Sequence, residues 1–154
     1  MNKMFKIGII QNIHLEGIKL LKDNGNFEYE IIDDVSEENL IKKIHLYDGV
    51  TLRVSQLSNK VLSQAKKIKV ISRHGVGYDN VDTSYLKKNN ITLLITATSN
   101  AIAVSEHVFY LMLTISKNFL NLDEEVRLGN FKNNINKFET FELYNKEILI
   151  AGFG

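Results

Sequence analysis

Short apolar runs alternate with amphipathic stretches along the first hundred or so residues. Phe5 to Ile10, "FKIGII", is a β-rich run. The following "LEGIKLLKDNG" spaces Leu15, Ile18 and Leu21 on one helical face before Gly25, a residue suited to stop a helix. Phe27 to Ile32, "FEYEII", alternates like a strand with one solvated side, as expected near a sheet edge. Ser36 is placed to cap "EENLIKKIHLY", with Leu40, Ile41 and Ile44 inward and Glu37 and Glu38 at the positive helix end. "DGVTLR" reads as the third strand, and Ser58 caps "NKVLSQAKK". Ile68 to Ser72 is the fourth strand, Asp82 caps "TSYLKKNN", and Ile91 to Thr96 is the fifth. Strands separated by short helices predict a parallel sheet covered on both faces. Right-handed crossovers favour an α/β, doubly wound, flavodoxin-like order.

The rhythm changes after Thr96. A longer helix is predicted from Asn100 to about Phe119. Ala101, Val104, Val108, Leu111 and Ile115 form one stripe, but Ile102, Phe109 and Leu113 fall elsewhere. Such an all-round apolar helix is expected to lie buried between two bodies. A short helix from about Leu122 to Leu128 stops at Gly129, a polar stretch rich in Asn and Lys follows, and Ile148 to Ala151 reads as a last strand. These features divide the chain into residues 1–97 and 98–154. No internal repeat is evident.

Composition narrows the class. At 154 residues, with 44% hydrophobic and 24% charged side chains, the chain is long enough for a sizeable core. The net charge is +1 with both signs scattered, so no electrostatic footprint for nucleic acid exists. The absence of cysteine excludes disulfides and thiolate metal sites and fits a reducing compartment. The first apolar run is too short for a signal peptide, and "AIAVSEHVFYLMLTI" carries Glu106 and His107 and is too short to span a membrane. A cytoplasmic protein is expected. The lack of proline and abundance of Lys, Asn and Ile are read as compositional bias.

In open α/β sheets, ligands bind beyond the carboxyl ends of the strands. Two of the chain's three arginines, Arg53 and Arg73, fall there. The planar guanidinium suits carboxylate or phosphate, although both could instead tie loops to backbone carbonyls. Gly75-Val76-Gly77 lets backbone approach a ligand and offers N–H groups to an anion, or is an ordinary tight turn. His74 lies in this turn and could reach a ligand, while His14 and His45 are read as surface or packing residues. Glu106 and His107 are adjacent on a helix, pointing about 100° apart, so they cannot form a relay with each other. No metal-ligand spacing, nucleophile elbow or complete P-loop occurs. A phosphoacceptor domain of the same sheet class needs acids where Gln11 and Arg53 stand. The chain finishes on "ILIAGFG", an apolar strand breaking into Gly-x-Gly, which carries part of the G-x-G-x-x-G dinucleotide fingerprint.

Together, "VISRHGVGYDNVD", "NAIAVSEH" opening a long helix, "RLGNF" and "ELYNKEILIAGFG" resemble the D-2-hydroxyacid dehydrogenases, with D-3-phosphoglycerate dehydrogenases among the similar members. The resemblance is strong from Asp48 onward and weak before it. It implies a substrate domain joined through the long crossover helix to a Rossmann domain, with NAD as cofactor and a 2-hydroxy or 2-oxo acid as substrate. By this resemblance Gly75, Val76 and Gly77 form the carboxylate-binding loop, with Val76 also beside the cofactor. Arg53 matches a residue that helps hold the phosphate in phosphoglycerate dehydrogenases. Asn100 and Val104 match positions lining the substrate and nicotinamide side, and Gly152 and Gly154 match the first two fingerprint glycines. Glu106-His107 matches a family motif that is not the catalytic pair. His74 replaces the usual small residue of "RAGVG", and "TATSN" lacks a common proline.

The family's catalytic arginine, glutamate and histidine, and the acid that holds the adenosine ribose, are expected beyond Gly154. The chain is therefore expected to be the N-terminal part of an NAD-dependent oxidoreductase, truncated in the Rossmann domain and inactive alone. The rival reading is a non-catalytic module that binds an acid or pairs with another subunit. A homodimer is the family expectation, and nucleic acid, membrane and metal are not expected as partners.

Overall fold

A computed structural model describes residues 4–152 of the chain. It divides into two compact units, Met1–Ser99 and Asn100–Gly154. In the first, strands β1 (Phe5–Ile10), β2 (Phe27–Ile32), β3 (Gly49–Leu52), β4 (Val70–Arg73) and β5 (Thr92–Ile95) alternate with helices. The helices are α1 (Leu15–Asn24), α2 (Glu37–Lys43), α3 (Asn59–Leu62) and α4 (Thr83–Lys88). All strand pairs are parallel, in the order β2-β1-β3-β4-β5. This is the flavodoxin-like doubly wound arrangement that the alternating pattern predicts.

Local chemistry fixes the helix ends. Ser36, Ser58 and Asp82 each accept a hydrogen bond from the backbone N–H three residues on, capping α2, α3 and α4. Gly25 ends α1 in the left-handed conformation, φ 70°. The cap of α1 is His14, whose Nδ1 accepts from the Glu16 N–H at 3.3 Å. The sequence reading of His14 as a surface or packing residue missed this role, because histidine is outside the usual capping set. Leu15 is also misplaced by periodicity: it is exposed, whereas Ile18 on the same face is buried.

The two sheet faces are not equally covered. Ile10, Val50, Leu52 and Ile71 pack into one cluster with Leu40 of α2, Val61 and Leu62 of α3, and Leu86 of α4. Tyr47, fully buried, lies so close to β1 that a Cβ at Gly8 would meet its ring at 2.9–3.1 Å. The opposite face buries Ile9 and Ile18 of α1, but toward the β5 edge it opens, and Leu94 is 53% exposed. Cover on both faces, the sequence expectation, therefore holds beneath α1 and fails over β5. At the other edge, Glu30 on β2 receives Lys43 at 2.8 Å and Lys6 at 3.2 Å. Lys43 foremost holds the Glu30 carboxyl well below its ordinary value, at about 2.

The second unit contains α5 (Ala101–Ser116), α6 (Phe119–Arg127) and α7 (Phe131–Asn134). The helix predicted to reach Phe119 stops earlier, because Asn118 adopts φ 48°, ψ 41° and redirects the chain into α6. The polar stretch rich in Asn and Lys contains α7 and a short 3-10 turn at Ile135–Lys137. Ser116 is the buried residue of α5, while Ile102, Phe109 and Ile115 are well exposed. Much of the apolar surface of this helix is thus exposed. The expected strand at Ile148 to Ala151 is not formed either: Ile148, Leu149 and Ile150 are exposed. A strand exists only by pairing, and no described segment pairs with this one. No helix of the described residues is long and apolar enough to cross a membrane.

Candidate functional site

The carboxyl ends of β1, β3 and β4 are laced together by side chains. Gln11, directly after β1, takes a left-handed backbone conformation, φ 64°. Its Oε1 accepts from the N–H groups of Val54 at 3.0 Å and Ser55 at 3.2 Å, in the segment following β3. Asn80 holds the same segment from the β4 side. Its Nδ2 donates to the carbonyls of Arg53 at 3.2 Å and Ser55 at 2.7 Å, and Leu57 N–H donates to the Asn80 carbonyl. Neither Gln11 nor Asn80 was singled out as a site residue. The available signal was their position: polar amide side chains beside strand ends can replace missing ladder bonds.

Arg53 stands in this segment, exposed, with Nη1 donating to the Asn12 carbonyl at 3.3 Å. This is the loop-tying role weighed against anion binding, and it uses one of the five guanidinium N–H groups. Arg73 ends β4 and folds beneath the following turn, where its Nη1 donates to the His74 carbonyl. Its Nε is buried without a hydrogen-bond partner among the described residues.

The turn above Arg73 is fixed by three backbone bonds. His74 N–H donates to the Leu52 carbonyl at 2.7 Å, Gly75 N–H to the Arg73 carbonyl at 3.0 Å, and Thr96 N–H to the Gly75 carbonyl at 3.1 Å. Gly75 has φ 147°, and a Cβ there would overlap the Arg73 guanidinium. The positive φ therefore favours glycine at this position, and any Cβ there would also have to displace the flexible Arg73 guanidinium. The Gly75 N–H is bonded within the turn, to the Arg73 carbonyl. The N–H groups of Val76 and Gly77 form no hydrogen bond among the described residues. Val76 is 42% exposed. Gly77 has space for a side chain, the nearest atom being an Asp79 carboxylate oxygen 3.5 Å from an added Cβ. Two successive N–H groups without partners among the described residues, next to the Arg73 guanidinium at Gly75, are donors of the kind that receive an anion.

The remaining sequence-predicted residues lie in the second unit. Asn100 precedes α5, and its carbonyl accepts from Val104 N–H at 2.9 Å while its side chain makes no cap bond. Val104 is half-exposed. His107 stacks on Tyr110, ring centroids 5.7 Å apart, and forms no hydrogen bond with Glu106. Gly152 has φ 102° with open space around it, and Gly154 lies outside the described residues. A dinucleotide cradle requires a paired strand, a glycine turn and a helix N-terminus aimed at the diphosphate. Among the described residues this cradle is not formed. Nor do the described residues contain a cluster of His, Asp or Glu placed to hold a metal ion.

Comparison with known proteins gives these features a context. Residues 7–149 match the model of the D-isomer specific 2-hydroxyacid dehydrogenase catalytic domain. The chain is 30% identical over 152 residues to a D-3-phosphoglycerate dehydrogenase of Methanocaldococcus jannaschii, covering 98% of this chain and 28% of that protein. It is 29% identical over 158 residues to a glyoxylate reductase of Pyrococcus furiosus, covering 97% and 46%. Among solved structures, the NAD+-bound 3-phosphoglycerate dehydrogenase of Entamoeba histolytica superposes with a TM-score of 0.67 at 25% identity, over 74% of this chain and 40% of that one. The chain thus spans less than half the length of these relatives. With a family match running through the sheet, the glycine turn and the helices beyond, the chain belongs to the D-isomer specific 2-hydroxyacid dehydrogenase family.

Proposed function

We propose that the chain supplies the substrate-gripping part of an NAD-dependent oxidoreductase acting on a D-2-hydroxy or 2-oxo acid. The observation that carries this reading is the pair of open N–H groups at Val76 and Gly77, raised on a turn whose other donors are already bonded. These groups receive the acid's carboxylate, and Arg53 offers its remaining N–H groups to a second anionic substituent, such as a phosphate. Residues 1–97 form the substrate part and 98–154 begin a cofactor part, in which Asn100 and Val104 line the substrate and nicotinamide side. Val76, Gly152 and Gly154 serve the cofactor. Bound NAD would supply or accept the hydride at the carbon bearing the oxygen.

The 154-residue chain should bind a 2-oxo acid such as glyoxylate at millimolar concentration, with NMR shifts centred on Val76 and Gly77. Shifts centred elsewhere, or none at saturating acid, would refute the grip. The same chain should show no NAD affinity by calorimetry, and a micromolar dissociation constant would overturn that expectation. The second reading, a non-catalytic module that pairs with another subunit, draws on the exposed apolar surface of α5.

A further inference from the structure

The chain has a single Asn-Gly step, Asn24-Gly25, and it falls where α1 ends. Asn24, Gly25 and Asn26 are all exposed. Inside a helix the glycine N–H would be bonded to a carbonyl one turn back, with the backbone held rigid. Here α1 stops at Asn24, and the Gly25 N–H makes no hydrogen bond among the described residues. A Cβ built on Gly25 would meet nothing within 4 Å, so the space around its backbone is open to water. The Asn24 Oδ1 accepts from Asn26 Nδ2 at 3.2 Å, which polarises the amide carbon for attack. Asp48-Gly49 could in principle close the same ring. There, however, Gly49 is buried and paired with both β1 and β4, and Asp48 Oδ2 accepts the Lys6 N–H at 2.9 Å.

We propose that Asn24-Gly25 is a site of spontaneous modification, at which asparagine becomes isoaspartate in the folded chain. The Gly25 nitrogen gives its proton to solvent base and bonds to the Asn24 Cγ. The Cγ–Nδ2 bond breaks, and the amide nitrogen leaves as ammonia with a proton from solvent. Glycine favours this closure because no Cβ shields its nitrogen. Water then opens the cyclic imide at either carbonyl. Breaking the Cγ–N bond gives aspartate, and breaking the bond to the Asn24 main-chain carbonyl gives isoaspartate. Nothing is oxidised or reduced. Isoaspartate routes the main chain through the former side chain and lengthens it by one methylene. The Asn26 carbonyl, two residues on, accepts the Phe5 N–H at 2.9 Å where the β1–β2 ladder opens. The new carboxylate also stands at the negative end of α1, where an anion is disfavoured. Modification therefore loosens the start of the outer strand, β2.

The test keeps the full 154-residue chain folded at mildly alkaline pH and follows its tryptic peptides by mass spectrometry. Peptide 23–42 should be the first to show the mass change from amide to acid, with isoaspartate exceeding aspartate. The modified fraction should lose hydrogen-exchange protection at the Phe5 N–H. Asn24→Gln keeps an amide but lengthens the ring to be closed, and it should abolish the change in this peptide. Conversion that persists in Asn24→Gln would assign it to Asn26 or Asn39 and overturn the proposal, as would earlier conversion of an asparagine in another peptide. Isoaspartate in peptide 44–53 of the folded chain, forming as fast as in 23–42, would overturn the selection of Asn24 by the fold. Unchanged Phe5 protection in the modified fraction would overturn the loosening of β2.

Discussion

Gln11 is the residue whose replacement tests most directly how the rim is held. Its side chain accepts two backbone N–H groups, and its own backbone sits at φ 64°, a region costly for a residue with a Cβ. In Gln11→Ala both hydrogen bonds vanish while the backbone cost stays. Val54 is 72% exposed, so water replaces its bond at little loss. Ser55 is 9% exposed, and an unsatisfied donor in such a place costs about 1–3 kcal/mol. A net loss of about 2 kcal/mol follows for the alanine variant. Gln11→Gly loses the same bonds but is relieved of about 1–2 kcal/mol of left-handed strain, set against about 0.5–1 kcal/mol of extra unfolded-chain entropy. The glycine variant should therefore be more stable than the alanine variant by about 0.5–1 kcal/mol, an ordering opposite to that expected in ordinary backbone. Urea unfolding followed by circular dichroism gives the two differences. Amide hydrogen exchange locates them, since the Ser55 N–H should lose protection in both variants. An alanine variant within 0.5 kcal/mol of the parent, with Ser55 still protected, would refute Gln11 as the tie.

Gly75→Ala should destabilise the sheet unit by about 1–3 kcal/mol, since φ 147° disfavours any Cβ. Gly77→Ala should leave stability nearly unchanged, and a denaturant midpoint that falls equally for both would count against this account of the turn. Glu30 has a folded pKa depressed to about 2 from an ordinary 4.5. Its stabilising contribution is therefore complete above about pH 4.5 and lost as pH falls toward 2. After allowance for its partial exposure, Glu30→Gln should cost about 1 kcal/mol at pH 6. That gap should close by pH 2, and a gap constant with pH would show that the ion pairs with Lys6 and Lys43 do not matter. The exposed Ile102, Phe109 and Ile115 of α5 should make the chain bind hydrophobic dyes or self-associate, as apolar patches do. A monodisperse monomer that leaves such a dye dark would contradict that expectation.

What was legible in the sequence follows the physics of each signal. The strand order could be inferred because five apolar runs at short helical intervals leave few right-handed parallel topologies, and the caps at Ser36, Ser58 and Asp82 are local hydrogen bonds within three residues. The glycine turn was recognisable for a similar reason, since few residue types tolerate φ 147°. Signals that depend on distant partners were not legible. That Gly75 N–H is taken by Arg73, while Val76 and Gly77 remain open, depends on how the turn closes above β4, and Gly-x-Gly spacing is the same in either case. Register is another such signal: Thr51 and Ser72 are 21 positions apart and become neighbours only when β3 pairs with β4. Ile148 to Ala151 shows the reverse failure. An apolar run reports willingness to enter a sheet, but pairing needs a neighbour that the run itself cannot specify. Gln11 joins the two cases, because nothing about a glutamine after a strand announces a left-handed backbone. Its acceptor reaches the N–H groups of Val54 and Ser55 only once β1 and β3 lie side by side, which makes the rim's geometry a consequence of the sheet order rather than of any local motif.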